Sequence, residues 1–375
     1  MGPEEGLENS ESGVQQREEK DVFIFFKSAF DDVISKLVKE LEPCIPKHVC
    51  RDIPIRLFVV FWILSSYDIE VPTAAYERAI ENIRKQMKEV ADSPVMSKSK
   101  RQKEEERLRS LEGKLRDEEK RQAEHVARIR AWLQSVKDDL FEAGRSAFIQ
   151  TCILPRVLFS ESDAIYSAKL IIILHQQRIT LFQSLVFIDK LFIDVLPLIC
   201  ALTENEANAM GTFLQILLSH AQRWHSDSGI FEKECEGFPG LVSKTRQDKT
   251  TESVNYESFR RLCFKWQVWC NASLKLETKC EHLLTITLLQ LAPCFPLLKD
   301  LVESIEKMVE KVRDNEKGKR DELSLKAASY LVRLKMRNVT VYEGLQFHRP
   351  IVKHTSKLSP GVDRKRIATV AKILL

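Results

Sequence analysis

Turn-forming residues are scarce in this chain. It has 12 glycines and 13 prolines in 375 residues, so it can make few tight turns and long helices are expected. Cys-x-x-Cys pairs are absent. The nine cysteines are scattered, odd in number, and mostly set in apolar helical stretches. That pattern argues against a disulfide framework and reads as reduced core thiols of an intracellular protein. No apolar run is long enough to cross a bilayer. The strongest, IPIRLFVVFWIL at 53–64, is too short and contains Pro54 and Arg56, so it reads as a buried core helix and no membrane partner is expected. The acidic, polar opening MGPEEGLENSESG is unlike a signal peptide. Gly-x-Ser-x-Gly, His-Glu-x-x-His and phosphate-cradling Gly-rich loops do not occur. Alternating β-branched runs between turn signals are missing too, so no strand is expected.

What is present is helical. Hydrophobic residues make up 44% and charged residues 30%, a balance that fits helices with a buried stripe and a solvated face. Residues 1–19 read as disordered, and 20–92 as a helical segment in which Phe26, Phe30, Val33 and Leu37 repeat at helical spacing before Pro43 and Pro46 stop the helix. A later helix opens at Thr73, read as its cap. Residues 145–345 carry further consecutive apolar helices, one of them stopped at Pro155 and another opened by Thr203 with Glu206 three residues on, a capping box. The fold class is all-α: an irregular α-solenoid of stacked helix pairs plus one long charged helix. No fixed repeat period is found.

The long helix is residues 93–144. Its apolar positions are Leu108, Leu111, Leu115, then Val126, Ile129, Leu133, Val136 and Leu140. The step from 115 to 126 is eleven residues, about three helical turns, which keeps the stripe on one face. The helix is expected to pack at both ends and stay solvated in the middle. A two-stranded coiled coil is the alternative, and with it a cytoplasmic coiled-coil or helical adaptor unrelated to RNA.

Charge is uneven. Residues 349–375 hold seven basic residues and one acid, net +6 of a total of +4, which leaves the rest at −2. Residues 346–375 read as a basic, flexible tail in which Arg364, Lys365 and Arg366 are candidates for weak, sequence-independent RNA binding.

The sharpest local puzzle is RWHSDSGIFEKECEG, residues 223–237, which crowds Arg, Trp, His, Cys and acids together. His220 and His225 are five apart, whereas a helical metal pair needs four, so no metal is expected. A hydrolase built on His225 and Cys235 is a rival, but no nucleophile motif accompanies them. The simpler reading is a helix terminus. Trp224 is buried on the face of His220, and Arg223, His225 and Asp227 are candidates for docking a partner. Arg223 and Asp227 are expected to matter little for stability.

Longer words carry a resemblance. RWHSDSGIFEKECEGFPG (223–240), CILPRVLFSESDAIYSAKLIIILHQQ (152–177), LTENEANAMGTFL (202–214), VNYESFRRLCFKW (254–266) and FWILSSYDIEVPTAAYERAIENIRKQMK (61–88), with residues 117–126, occur in one order. Together they resemble the family of the large scaffold subunit of the THO complex, and its more C-terminal portion. The resemblance implies a non-catalytic nuclear scaffold with no cofactor. It further implies other THO subunits and a DEAD-box RNA helicase as partners, and a role in mRNA packaging and export, with mRNA itself contacted weakly.

Overall fold

The computed structural model describes residues 5–47, 52–93, 96–140, 145–179, 182–244, 251–274 and 281–348. Their architecture is all-α, as expected. A small departure is an antiparallel ladder three residues a side, β1 (Val242–Lys244) against β2 (Thr251–Ser253), with Val242 opposite Ser253.

Helix α1 (Glu5–Leu41) begins well before Lys20, so the disordered start expected for residues 1–19 is corrected over 5–19. Glu, Gln and Arg make up about half of that stretch, residues that lose little rotamer freedom in a helix, and no proline interrupts it. Beside α1 packs α2 (Ile55–Ile63), the apolar segment expected in the core. No described helix is long and apolar enough to cross a membrane. After the short α3 (Ser66–Ile69), α4 (Thr73–Asp92) runs antiparallel to the long α5 (Lys98–Leu140). Pro72, not Thr73, occupies the N-cap position of α4, and no side chain caps it.

The α4–α5 hairpin corrects two readings. Leu111, taken as part of the stripe, is 39% exposed, while Leu108 and Gln122 are buried. The seam advances in sevens, through Leu108, half-buried Leu115, Gln122, Ile129 and Val136. Facing it, α4 offers half-buried Tyr76, buried Ile80 and Ile83, and half-buried Met87. This is coiled-coil spacing, but the partner is the same chain rather than a second copy. The middle of α5 packs along this one seam through Gln122, while most of residues 116–125 stay exposed. A polar seam residue hid the period: Gln122 donates to the carbonyls of Glu70 (3.1 Å) and Tyr67 (3.4 Å) and accepts from the Tyr76 hydroxyl at 3.0 Å. A buried amide so satisfied is tolerated where an unpaired one would not be.

A second departure concerns Pro155. The chain passes from α6 (Arg145–Phe148) through a π-helical turn, Ile149–Ile153, into α7 (Leu154–Phe159) without stopping. A proline clashes with the carbonyl four residues back in a regular helix, and the wider turn relieves that crowding. On α7, Arg156 is buried and anchors the two halves of the chain. It donates to the carbonyls of Phe61 and Leu64 (2.9 Å for Leu64), pairs with Asp163 at 2.8 Å and lies 3.8 Å over the Tyr166 ring. A cation at the carboxyl end of α2 meets both its orphan carbonyls and its negative dipole end.

The rest is a row. The helices are α8 (Glu161–Gln176), α9 (Ser184–Lys190), α10 (Glu204–Ser226), α11 (Ser228–Glu234), α12 (Tyr256–Ser273), α13 (Glu281–Leu291), α14 (Lys299–Glu316), α15 (Asp321–Met336) and α16 (Gly344–His348). Side by side run α8, α10, α13, α15 and α14. At its centre α10 opens on the expected capping box, Thr203 with Glu206. Gly211 lets α13 come close: a Cβ there would lie 2.9 Å from that of Gln290.

Candidate functional site

The corner at the end of α10 is built from the residues that crowd the sequence, and Arg223, Trp224, His225, Asp227 and Glu234 each have a partner. Trp224 is 4% exposed and its indole N–H donates to a Glu234 carboxylate oxygen at 3.0 Å. Arg223, one residue earlier, pairs with the other oxygen of the same carboxylate. Burial opposes ionisation of Glu234, but the donors Trp224 and Arg223 outweigh it and hold the carboxyl below its usual range. One acid in α11 thus fastens two neighbouring side chains of α10. Asp227 closes the bend between them, accepting from the backbone N–H of Gly229 (2.8 Å) and Ile230 (3.2 Å) as the N-cap of α11.

Two more histidines surround Trp224. His175 of α8 lies 4.7 Å from it and stacks on Phe238 at 5.2 Å, while the His220 ring meets it edge-on at 4.6 Å. The His175 partners define its tautomer. Its Nε2–H donates to the Glu234 carbonyl at 3.0 Å, and its Nδ1 accepts from the Ser184 hydroxyl at 2.9 Å. Burial lowers its pKa, consistent with a neutral ring. His220 is pulled down to about 4 by burial, then by the charge of Arg223. Gly240 roofs this cluster, since a Cβ there would lie 2.5 Å from Ser184 Oγ and 3.1 Å from His175 Nδ1.

His225 faces the opposite way, and it is 1% exposed. Its side chain is therefore inside rather than on a docking surface, although its neighbours Arg223 and Asp227 keep solvent-facing atoms. Its Nε2–H donates to the Phe347 carbonyl at 3.1 Å, and its ring packs on Phe347 at 4.1 Å and Tyr342 at 5.3 Å. Its carbonyl accepts from Tyr256 (2.7 Å) and Arg260 (2.8 Å) of α12, and Arg260 also donates to the Gln346 carbonyl at 2.7 Å. Burial, then Arg260, pulls its pKa down to about 4. The start of the expected flexible tail is thereby corrected: residues 346–348 belong to α16, and Phe347 is buried core. Arg364, Lys365 and Arg366 lie outside the described residues.

The sequence missed His175, Ser184 and Phe347 as members of the corner, because they arrive from other helices and follow no local spacing. A metal at this corner finds little support. Cys235 is fully buried, and burial pushes its thiol well above the normal range, away from the thiolate a metal or a nucleophile needs. Among the described residues the potential ligands that converge are Glu204, His282 and Glu322, elsewhere on the row. The Lys326 ammonium already sits among them, 3.2 Å from Glu204, 2.7 Å from Glu322 and 3.1 Å from His282. What the corner does chemically is fasten α8, α10, α11, α12 and α16 with buried, neutral or paired groups.

The family model described as transcription factor/nuclear export subunit protein 2 matches residues 50–334. The chain is 33% identical over 358 residues to the THO complex subunit 2 of Homo sapiens and to that of Dasypus novemcinctus, covering 91% of this chain and 22% of each relative. Against the THO complex subunit 2 of Arabidopsis thaliana it is 29% identical over 302 residues, 76% of this chain and 16% of the relative. The chain thus spans about a fifth of the length of the curated relatives it matches.

Proposed function

The chain belongs to the Tho2 family of transcription factor/nuclear export subunits, and from that membership we propose that it acts as a non-catalytic helical scaffold of a nuclear THO assembly. In this reading it holds other THO subunits and a DEAD-box RNA helicase, and so supports the packaging of mRNA and its export. The observation that carries the proposal is the extent of the match. Residues 50–334 include the α4–α5 hairpin and nearly the whole helical row, so what is shared is the framework rather than one loop or pocket.

The chemistry of the corner supports the same reading. His175 and His225 are buried and His220 half-buried, all with lowered pKa, and its acid is committed to Trp224 and Arg223. Such groups stabilise a shape and are poorly placed for proton transfer to a substrate. The docking role expected of Arg223, His225 and Asp227 is divided by the geometry. Arg223 and Asp227 would face a partner, and His225 would act behind them by holding α10 to α16. Arg364, Lys365 and Arg366 would give mRNA a weak, salt-sensitive contact.

The test is affinity purification of the tagged full chain from nuclear extract, with quantitative mass spectrometry. The proposal expects THO subunits and the helicase in amounts comparable to the bait, all lost together on disrupting the corner with Trp224→Ala. Recovery of the intact chain without any THO subunit overturns it.

A further inference from the structure

A second charged surface lies away from the corner, at the free end of the α4–α5 hairpin. Helix α4 packs along α5 and makes no comparable contact with another described helix, so this end projects from the row. Residues 84–103 contain seven cations (Arg84, Lys85, Lys88, Lys98, Lys100, Arg101, Lys103) and two acids (Glu89, Asp92), net +5. The whole chain is +4 and residues 349–375 are +6, which leaves −7 on the remaining residues. A basic end therefore stands on an acidic body.

The charge at this end is surplus rather than structural. One turn further along α5 the acids are matched in register: Glu104 with Arg107 at 2.6 Å, Glu105 with Arg109 at 3.9 Å, and Glu112 with both Arg84 and Arg116 at 3.0 Å. Lys88, Lys98, Lys100 and Lys103 are exposed and take part in no ion pair among the described residues. Arg101 does a different job, donating to the Ser93 carbonyl at 2.6 Å and so tying the start of α5 to the end of α4. Lys98 and Lys100 also stand in the first turn of α5, where no acid is present and where the helix dipole disfavours cations. Helix stability does not account for their placement.

We propose that the hairpin end, through Lys88, Lys98, Lys100 and Lys103, is a binding surface for the phosphate backbone of RNA. Ammonium groups on long flexible stems suit phosphate as point charges. Among the described residues of this end the exposed positions are basic residues, serine, glutamine, Ala91 and the acids Glu89 and Asp92, with no exposed aromatic or large apolar anchor of the kind a protein partner would use. Lacking a stacking platform, the surface holds RNA without regard to sequence and with strong salt dependence. It does not rest on the family reading, and it is separate from Arg364, Lys365 and Arg366.

The experiment is fluorescence anisotropy of a labelled 20-nucleotide single-stranded RNA against the full chain, at several salt concentrations. Two variants are compared with the unaltered chain: Lys98→Gln with Lys100→Gln and Lys103→Gln, and Arg364→Gln with Lys365→Gln and Arg366→Gln. Each lost phosphate contact lowers the slope of log K against log salt by about 0.7 for single strands, so the lysine variant should lose about 2 and bind roughly tenfold more weakly at low salt. Its circular dichroism melt should match the unaltered chain, since the replaced groups are exposed. The arginine–lysine tail variant should keep a component that the further loss of the three lysines removes. An unchanged slope and affinity in the lysine variant overturns the proposal. So does RNA binding that disappears entirely in the tail variant. Loss of an acidic protein from nuclear-extract capture, with RNA binding unchanged, also overturns it and assigns the lysines to that protein.

Discussion

Acid should weaken this fold well before its carboxylates are protonated, and the buried histidines set where. His225 has a folded pKa of about 4 against about 6.5 for a free imidazole. Between those values the unfolded chain binds a proton that the folded chain refuses, so stability rises with pH there and falls on acidification. At pH 5 the free ring is almost fully protonated and the folded one hardly at all. The linkage integral gives about 2 kcal/mol lost relative to pH 7. His220 has a similar pKa of about 4 but is only partly buried; discounted for solvent screening it adds about 1 kcal/mol. His175, also lowered by burial, acts with the same sign. The sum is a sizeable part of the roughly 5–15 kcal/mol typical of a folded domain. The groups facing His225 are Arg260, His348 and Tyr342, and those facing His220 are Arg223, Glu234 and His175. The carboxylates held low, Glu206 and Glu234 among them, lose their contribution only as pH falls below the usual carboxylate range, outside this window. Urea titrations followed by far-UV circular dichroism at pH 7 and pH 5 measure the effect. His225→Gln keeps a donor toward the Phe347 carbonyl and removes the titration, so its loss on going to pH 5 should be smaller by about 2 kcal/mol. Equal stability of the unaltered chain at the two pH values, or the same pH dependence in His225→Gln, refutes the reasoning.

Other outcomes follow from packing and capping. Trp224→Ala should cost about 3–5 kcal/mol in chemical denaturation, because it empties a buried ring site and strands the Glu234 oxygen. Asp227→Ala should cost about 1 kcal/mol through the lost cap of α11. Arg223→Ala should cost less than about 1 kcal/mol, its guanidinium being 44% exposed; a thermal melt ranks the two. Gly240→Ala should destabilise by about 1–3 kcal/mol, since the new methyl drives into Ser184 and His175. Gln122→Ala should cost about 1–3 kcal/mol by leaving the carbonyl of Glu70 and the hydroxyl of Tyr76 without their partner. Hydrogen exchange should then rise along α4 before it rises in the row.

Element type was legible in the sequence because it rests on local periodicity. The capping box at Thr203, the stop after Leu41 and the apolar helix at 55–63 all lie where composition and caps place them. Longer-range packing was not legible. The period of α5 was obscured because its seam passes through Gln122, a polar residue buried only by virtue of three partners from α3, α4 and the bend between them. Leu111 was read into the stripe on its three-residue spacing from Leu108, yet α4 packs along the other side and leaves it exposed. Pro155 was read as a stop because the rule assumes a regular helix, and the π turn before it changes the geometry the rule depends on.

The corner was legible as a corner and illegible as a network. Caps are local, so Asp227 and the end of α10 could be read from a few consecutive residues. Arg223 was placed by helical angle, with no knowledge of what stands opposite. Arg223 and Trp224 lie about 100° apart on an ideal helix, yet both reach Glu234, because α11 turns back across the end of α10 and its carboxylate has two oxygens to offer. His225 looked available because it is polar and sits at a helix terminus. It is buried because α16, 122 residues further along, brings the Phe347 carbonyl and ring onto it. A residue's chemistry sets what it can bind, while the fold sets which partner is within reach. Here each polar side chain of RWHSD, apart from that of Ser226, finds that partner on another helix or across the bend into one. Ser226 donates instead to the Arg223 carbonyl at 3.0 Å and finishes α10 from within.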